Sequence, residues 1–134
     1  DKKTFTYELL QASGRFALGL PVPALADLTH AVGSESGRDV DKFARHGIAW
    51  TPGPVLGLPL VAGCTAWLEL RHIPEAHSEQ AYDTVFGEVV SAQADARVFT
   101  AGRWSFRDDN AELHTLHHLG EVSARMQDTA GVFA

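Results

Sequence analysis

The spacing of apolar positions changes about a third of the way along the chain. In Phe5-Thr6-Tyr7-Glu8-Leu9-Leu10-Gln11-Ala12-Ser13-Gly14 they recur at helical intervals. Thr4 or Thr6 can supply the capping oxygen and Glu8 favours the first turn. Gly14 can take the left-handed position that ends a helix. Residues 15–20 alternate as a strand, stopped by Pro21 and Pro23. A second helix is predicted over 23–32, with Leu25, Leu28, Ala31 and Val32 on one face. A third is predicted over 39–46, burying Val40, Phe43 and Ala44 before Gly47 ends it.

Farther on, helical spacing gives way to runs of Val, Leu, Phe and Trp. Residues 50–59 form a Pro/Gly connector too apolar for a solvated linker. Strands are predicted over 60–73 and 82–93, joined by a polar crossing at 74–80. A hairpin follows, 97–99 with 103–106, turning at Thr100-Ala101-Gly102. Residues 111–118 read as one more short turn of helix, with Leu113, Leu116 and His117 on one side. The tail, 121–134, has weak periodicity and is expected to fray or to pack on a partner. Short helices followed by antiparallel strands make an α+β domain, mainly antiparallel β, because the strands lack the alternation with helices that a parallel sheet requires. About five strands are few for a closed barrel. The chain opens at Asp1 with no methionine and enters a helical pattern almost at once, which reads as a start in mid-domain with the first strands upstream. A processed terminus is the other reading.

Composition narrows the function. The 134 residues suit one domain, 1–134, and 45% apolar with 21% charged residues is the balance of a globular protein. A net charge of −6 argues against binding nucleic acid or an anionic membrane, both of which require clustered cations. A single cysteine, Cys64, excludes an internal disulfide and a cysteine-only metal site. The nearly uncharged stretch 50–68 is broken by Pro52, Pro54, Pro59 and three glycines, so it is no membrane helix. No secretion signal stands at the start, which makes the cytoplasm the expected location.

Three clusters carry candidate chemistry. Lys2, Lys3, Thr4 and Thr6 stand where a helix begins, so exposed N–H groups, two cations and two hydroxyls could hold a phosphate monoester; a plain cap with solvated lysines is the alternative. Ser34-Glu35-Ser36-Gly37-Arg38-Asp39-Val40-Asp41-Lys42-Phe43 could offer Arg38 or Lys42 to a phosphate, or form a solvated helix face with acid–base pairs. His114, His117 and His118 have spacing that could serve a metal, a substrate or flavin, or ordinary packing. Cys64 lies in an apolar run without a basic neighbour, as an inert thiol does. No nucleophile elbow, Walker loop or Rossmann fingerprint occurs.

Taken in order, these stretches resemble the flavin reductase-like family, whose fold is the FMN-binding split barrel with short flanking helices. Thr4-Phe5-Thr6-Tyr7-Glu8-Leu9-Leu10 with Gly14-Arg15-Phe16-Ala17-Leu18 is similar to the family's opening helix and strand. Ser36-Gly37-Arg38-Asp39-Val40-Asp41-Lys42-Phe43 resembles its S-G-x-D-x-D-K-F stretch. Pro59-Leu60-Val61-Ala62-Gly63-Cys64 before Leu68-Glu69 resembles its P-L-I-x-G-C…L-E segment, and Phe86-Gly87-Glu88-Val89-Val90 its V-G-E-V-V strand. Leu113-His114-Thr115-Leu116-His117-His118-Leu119-Gly120 resembles L-R-T-L-H-H-L-G.

The resemblance implies a homodimer with FMN at the subunit interface, NAD(P)H as electron donor, and oxygen, free flavin or a partner monooxygenase as acceptor. It places Thr4 and Thr6 with Lys2 or Lys3 at the FMN phosphate, Lys42 near the cofactor or the dimer seam, and His117 against the flavin. His118 becomes the catalytic position, where the donor docks. No metal is implied. Three positions depart from the pattern: Ala81-Tyr82-Asp83 replaces a common G-D-H, Glu121-Val122-Ser123 replaces further glycines, and Gly19 replaces an asparagine. The first departure removes a histidine linked to pyridine-nucleotide contact, so a flavin-binding electron carrier without reductase activity is the alternative.

Overall fold

The computed structural model describes residues 2–119 and 122–124, with side-chain surroundings for residues 2–116. Helix α1, Phe5–Ser13, begins where the sequence predicts: Thr4 Oγ1 accepts from the Tyr7 N–H at 3.3 Å, and Gly14 closes the helix at φ 65°. Strand β1, Arg15–Leu20, follows at once. The predicted second helix is a 3₁₀ turn, Pro23–Leu25, running into α2, Ala26–Ser34. Helix α3 is shorter than expected, Lys42–His46, because Asp41 rather than an earlier residue caps it, accepting from the Ala44 N–H at 3.1 Å.

The long strand expected over 60–73 divides into β3, Pro59–Val61, and β4, Ala66–Ile73. Gly63, at φ 86°, turns the chain between them. Strand β2, Trp50–Pro52, lies inside the supposed connector and pairs with β3. The polar crossing is a helix, α4, Ala76–Tyr82, so the strand expected from residue 82 begins later, as β5, Phe86–Ala94. The hairpin stands as β6, Phe99–Thr100, and β7, Arg103–Trp104, turning through Ala101 and Gly102 at positive φ. The helical turn predicted over 111–118 lies earlier, at Asp108–Leu113, and His117 and His118 instead begin strand β8, His117–Leu119, paired with β9, Val122–Ala124.

Among the described residues all strand pairs are antiparallel, and the largest sheet has the order β1-β4-β5. Side chains alternate across β4. Trp67 and Glu69 face the 53–61 segment, where the Trp67 indole N–H donates to the Val61 carbonyl at 2.8 Å. Ala66, Leu68, Leu70 and His72 face the other way. The His72 end of that side is roofed by α1 and α4, and at the Ala66 end Phe99 and Trp104 border an apolar hollow of about 250 Å³. Leu10, Leu60, Leu70, Val98 and Leu113 are among the buried apolar residues. Gly87 of β5 has its place because a Cβ there would stand 2.7 Å from the Phe16 ring.

Candidate flavin site

The first turn of α1 gathers the candidate phosphate groups. The N–H groups of Phe5 and Thr6 have no carbonyl one turn back within the helix, and the helix dipole is positive there. Thr4, as the cap, and exposed Thr6 stand at this end. Lys2 reaches the carbonyl of Gln80 and lies 3.5 Å from the Asp83 carboxylate, so its ammonium is held beside the end of α4. Lys3 is exposed at the same end.

The Ser-Gly-Arg-Asp segment comes to the same place. Gly37 lies so close to Phe5 that a Cβ there would be 3.0 Å from the ring. Arg38 crosses that ring at 5.5 Å and pairs with Glu8. Two stretches thirty residues apart in sequence therefore meet at the start of α1. Lys42 turns to another use, its ammonium donating to the Val32 carbonyl near the end of α2.

The histidines divide. His114 Nε2 lies 3.1 Å from the Arg107 carbonyl oxygen, and its ring meets Phe106 edge-on. The backbones of His117 and His118 lie in β8, opposite Ala124 and Ser123, while their side chains fall outside the described residues. Among the described residues no three His, Cys, Asp or Glu side chains form a metal-binding group. No helix among them is long and apolar enough to cross a membrane. Burial pushes the Cys64 thiol up, away from reactivity.

Two buried carboxylates were not singled out by the sequence reading. Glu69, 1% exposed, accepts from the N–H groups of Val55 at 3.0 Å and Leu56 at 2.8 Å. Burial opposes its charge, yet the Leu56 and Val55 N–H groups and the Ser91 hydroxyl outweigh it, and the carboxyl stays below its usual range. Glu79 accepts from the Tyr7 hydroxyl at 2.7 Å, Gln11 Nε2 at 2.6 Å, the Glu75 N–H at 3.1 Å and His72 Nε2 at 2.8 Å. The Tyr7 bond, then that of Glu75, lowers it to about 2 against the opposing effect of burial. An ionised carboxylate only accepts, so His72 carries a proton on Nε2. The same bond to Glu79 pushes the Tyr7 phenol up. A signal for both lay in the sequence: Glu69 is the lone charge between Pro59 and Leu70, and Glu75 and Glu79 have helical spacing in the polar crossing.

The fold is α+β with antiparallel sheets, and a cationic, hydroxyl-bearing helix start stands at one end of it. Residues 1–118 match the flavin reductase like domain, and the chain belongs to that family. It is 53% identical over 135 residues to "Uncharacterized protein YddH" of Escherichia coli (strain K12), covering 98% of this chain and 70% of that protein. The crystal structure of an FMN-binding domain of a flavin reductases-like enzyme from Shewanella baltica OS155 is similar at 36% identity and a TM-score of 0.87, over 98% of this chain and 70% of that one. The FMN-binding protein from Thermus thermophilus with bound 1-cyclohex-2-enone is similar at 26% identity and a TM-score of 0.71, over 92% and 64%.

Proposed function

We propose that the protein is an FMN-dependent oxidoreductase of the flavin reductase type, moving hydride from NAD(P)H to flavin and on to oxygen or a partner oxygenase. The observation that carries this reading is the likeness to the Shewanella FMN-binding domain, which extends over nearly the whole chain. The donor set at the start of α1 fits a phosphate monoester: the Phe5 and Thr6 N–H groups, which have no acceptor within the helix, the Thr4 and Thr6 hydroxyls, and cations on the adjoining segments. Lys2, Lys3, Thr4 and Thr6 would hold the FMN phosphate there.

Bound FMN supplies the hydride-accepting ring. The protein contributes position and charge: α1 would anchor the phosphate end, His117 would contact the cofactor, and His118 would serve on the donor side. Lys42 fixes the end of α2 beside the site or the dimer seam. A homodimer with FMN between subunits completes the reading. No acid–base dyad is required, because hydride transfer at a flavin moves no proton through a side chain.

A carrier without reductase activity is the second reading, and a specific observation favours it. Ala81-Tyr82-Asp83 replaces the common glycine-acid-histidine element, so no histidine stands there, and Tyr82, 69% exposed, packs edge-on against His77 of α4. Purified protein loaded with FMN and mixed with NADH or NADPH separates the two. Loss of nicotinamide absorbance with bleaching of the flavin supports the reductase. A yellow protein that leaves both nicotinamides untouched supports the carrier, and a protein that takes up no FMN refutes both.

A further inference from the structure

We propose that Glu79 is a positioning residue whose buried carboxylate sets the direction in which the first turn of α1 points, and so aims that turn at the flavin phosphate. The inference rests on the phosphate-holding role given to that turn above. Glu79 is 6% exposed, and its carboxylate divides its two oxygens between different elements. Oε2 accepts from Tyr7 and Gln11, four residues apart and therefore on one face of α1. Oε1 accepts from His72 of β4 and from the Glu75 N–H where α4 begins.

Four donors on two oxygens nearly fill what a carboxylate can accept. A neutral amide of the same shape cannot replace it, because its NH₂ would face donors on one side or the other. Tyr7 also links this bridge to the cap: its hydroxyl donates to Glu79 while its N–H donates to Thr4 Oγ1. A second tie runs parallel, from the Lys2 ammonium to the Gln80 carbonyl and the Asp83 carboxylate, both at the end of α4. On the neighbouring side, Arg38 lies over Phe5 and pairs with Glu8. The helix start is thus held from two directions, and the Glu79–His72 pair is buried while the Lys2–Asp83 and Arg38–Glu8 pairs are exposed. Sites held by such supporting bonds lose affinity when the support is removed, even though the ligand never touches it.

The test compares FMN with riboflavin, which differ only in the phosphate. Both are titrated into the parent protein, Tyr7→Phe, Glu79→Gln and Val98→Ala, with binding read from flavin fluorescence and folding from thermal melts. The parent is expected to prefer FMN. Tyr7→Phe, which removes one bond and keeps the ring, and Glu79→Gln are expected to lose about tenfold in FMN affinity with little change for riboflavin. Val98→Ala serves as the stability control, since it empties a fully buried site away from these ties, and it is expected to keep the preference. If both Tyr7→Phe and Glu79→Gln keep the parent's preference, or lose FMN and riboflavin equally, the positioning role is overturned while the phosphate reading stands. A parent that binds FMN no better than riboflavin overturns the phosphate reading and leaves Glu79 with nothing to aim.

Discussion

Gly53→Ala is the sharpest probe of how the 53–58 segment is held. A Cβ at position 53 would stand 2.1 Å from Glu69 Oε1 and 2.3 Å from its Cδ, where ordinary contact begins at 3.4 Å. The two groups must part by more than 1 Å. The carboxylate has little room to retreat, because it accepts from Val55 and Leu56 at 3.0 and 2.8 Å and is buried beneath them. A shift of that size takes both bonds beyond useful length. Overpacking of this kind costs about 1–3 kcal/mol. At roughly 4 °C per kcal/mol for a chain of this length, the melting temperature falls by about 4–12 °C. Gly33→Ala provides the contrast: the position lies in α2 with nothing within 4 Å, so the same methyl stabilises by about 0.5–1 kcal/mol. Differential scanning calorimetry of the two variants beside the parent decides the matter. If Gly53→Ala melts within a degree of the parent, Glu69 does not lie under the loop and the reasoning fails.

Other consequences can be measured in the same preparations. Glu79 and Asp95 are both held at about 2, below their ordinary 4.5 and 3.8. The unfolded chain therefore binds more protons than the folded one between those values, so the stability they contribute is present above about pH 4.5 and lost as pH falls toward 2. Melts across that range should show the decline, and Glu79→Gln should flatten it; an unchanged slope would contradict the bonding around Glu79. Val98→Ala, at a fully buried site, should cost about 2 kcal/mol by urea denaturation, whereas a loss below about 0.5 kcal/mol, the scatter of surface changes, would remove Val98 from the core. Thr4→Ala removes the cap of α1 and should cost about 0.5–1 kcal/mol while Thr4→Ser keeps it, with helicity by circular dichroism as the check.

Legibility in the sequence followed the range of the interaction. Caps and turns that depend on neighbouring residues were readable: Thr4 and Gly14 bound α1, and Ala101-Gly102 turns the hairpin. Boundaries set by distant partners were not. Residues 74–80 read as a polar crossing because the bonds that tie their helix down, from Glu79 to Tyr7 and Gln11, reach residues about seventy positions away. His117 and His118 fell within the helical turn expected over 111–118 but pair with Ala124 and Ser123 as a strand, so pairing overrode local pattern. The candidate phosphate cluster was visible as residue types at a helix start, and the S-G-R-D-x-D-K stretch as a separate cluster. That Arg38 folds over Phe5, bringing the two together, depends on a close approach at Gly37 that no local pattern encodes.

The most direct measurement is a crystal structure of the protein grown with FMN. Phosphate density against the Phe5 and Thr6 N–H groups at the start of α1, with the Thr4 and Thr6 hydroxyls turned toward it, is the predicted result. Flavin bound with its phosphate elsewhere, or that helix start closed over by neighbouring side chains, would contradict the account.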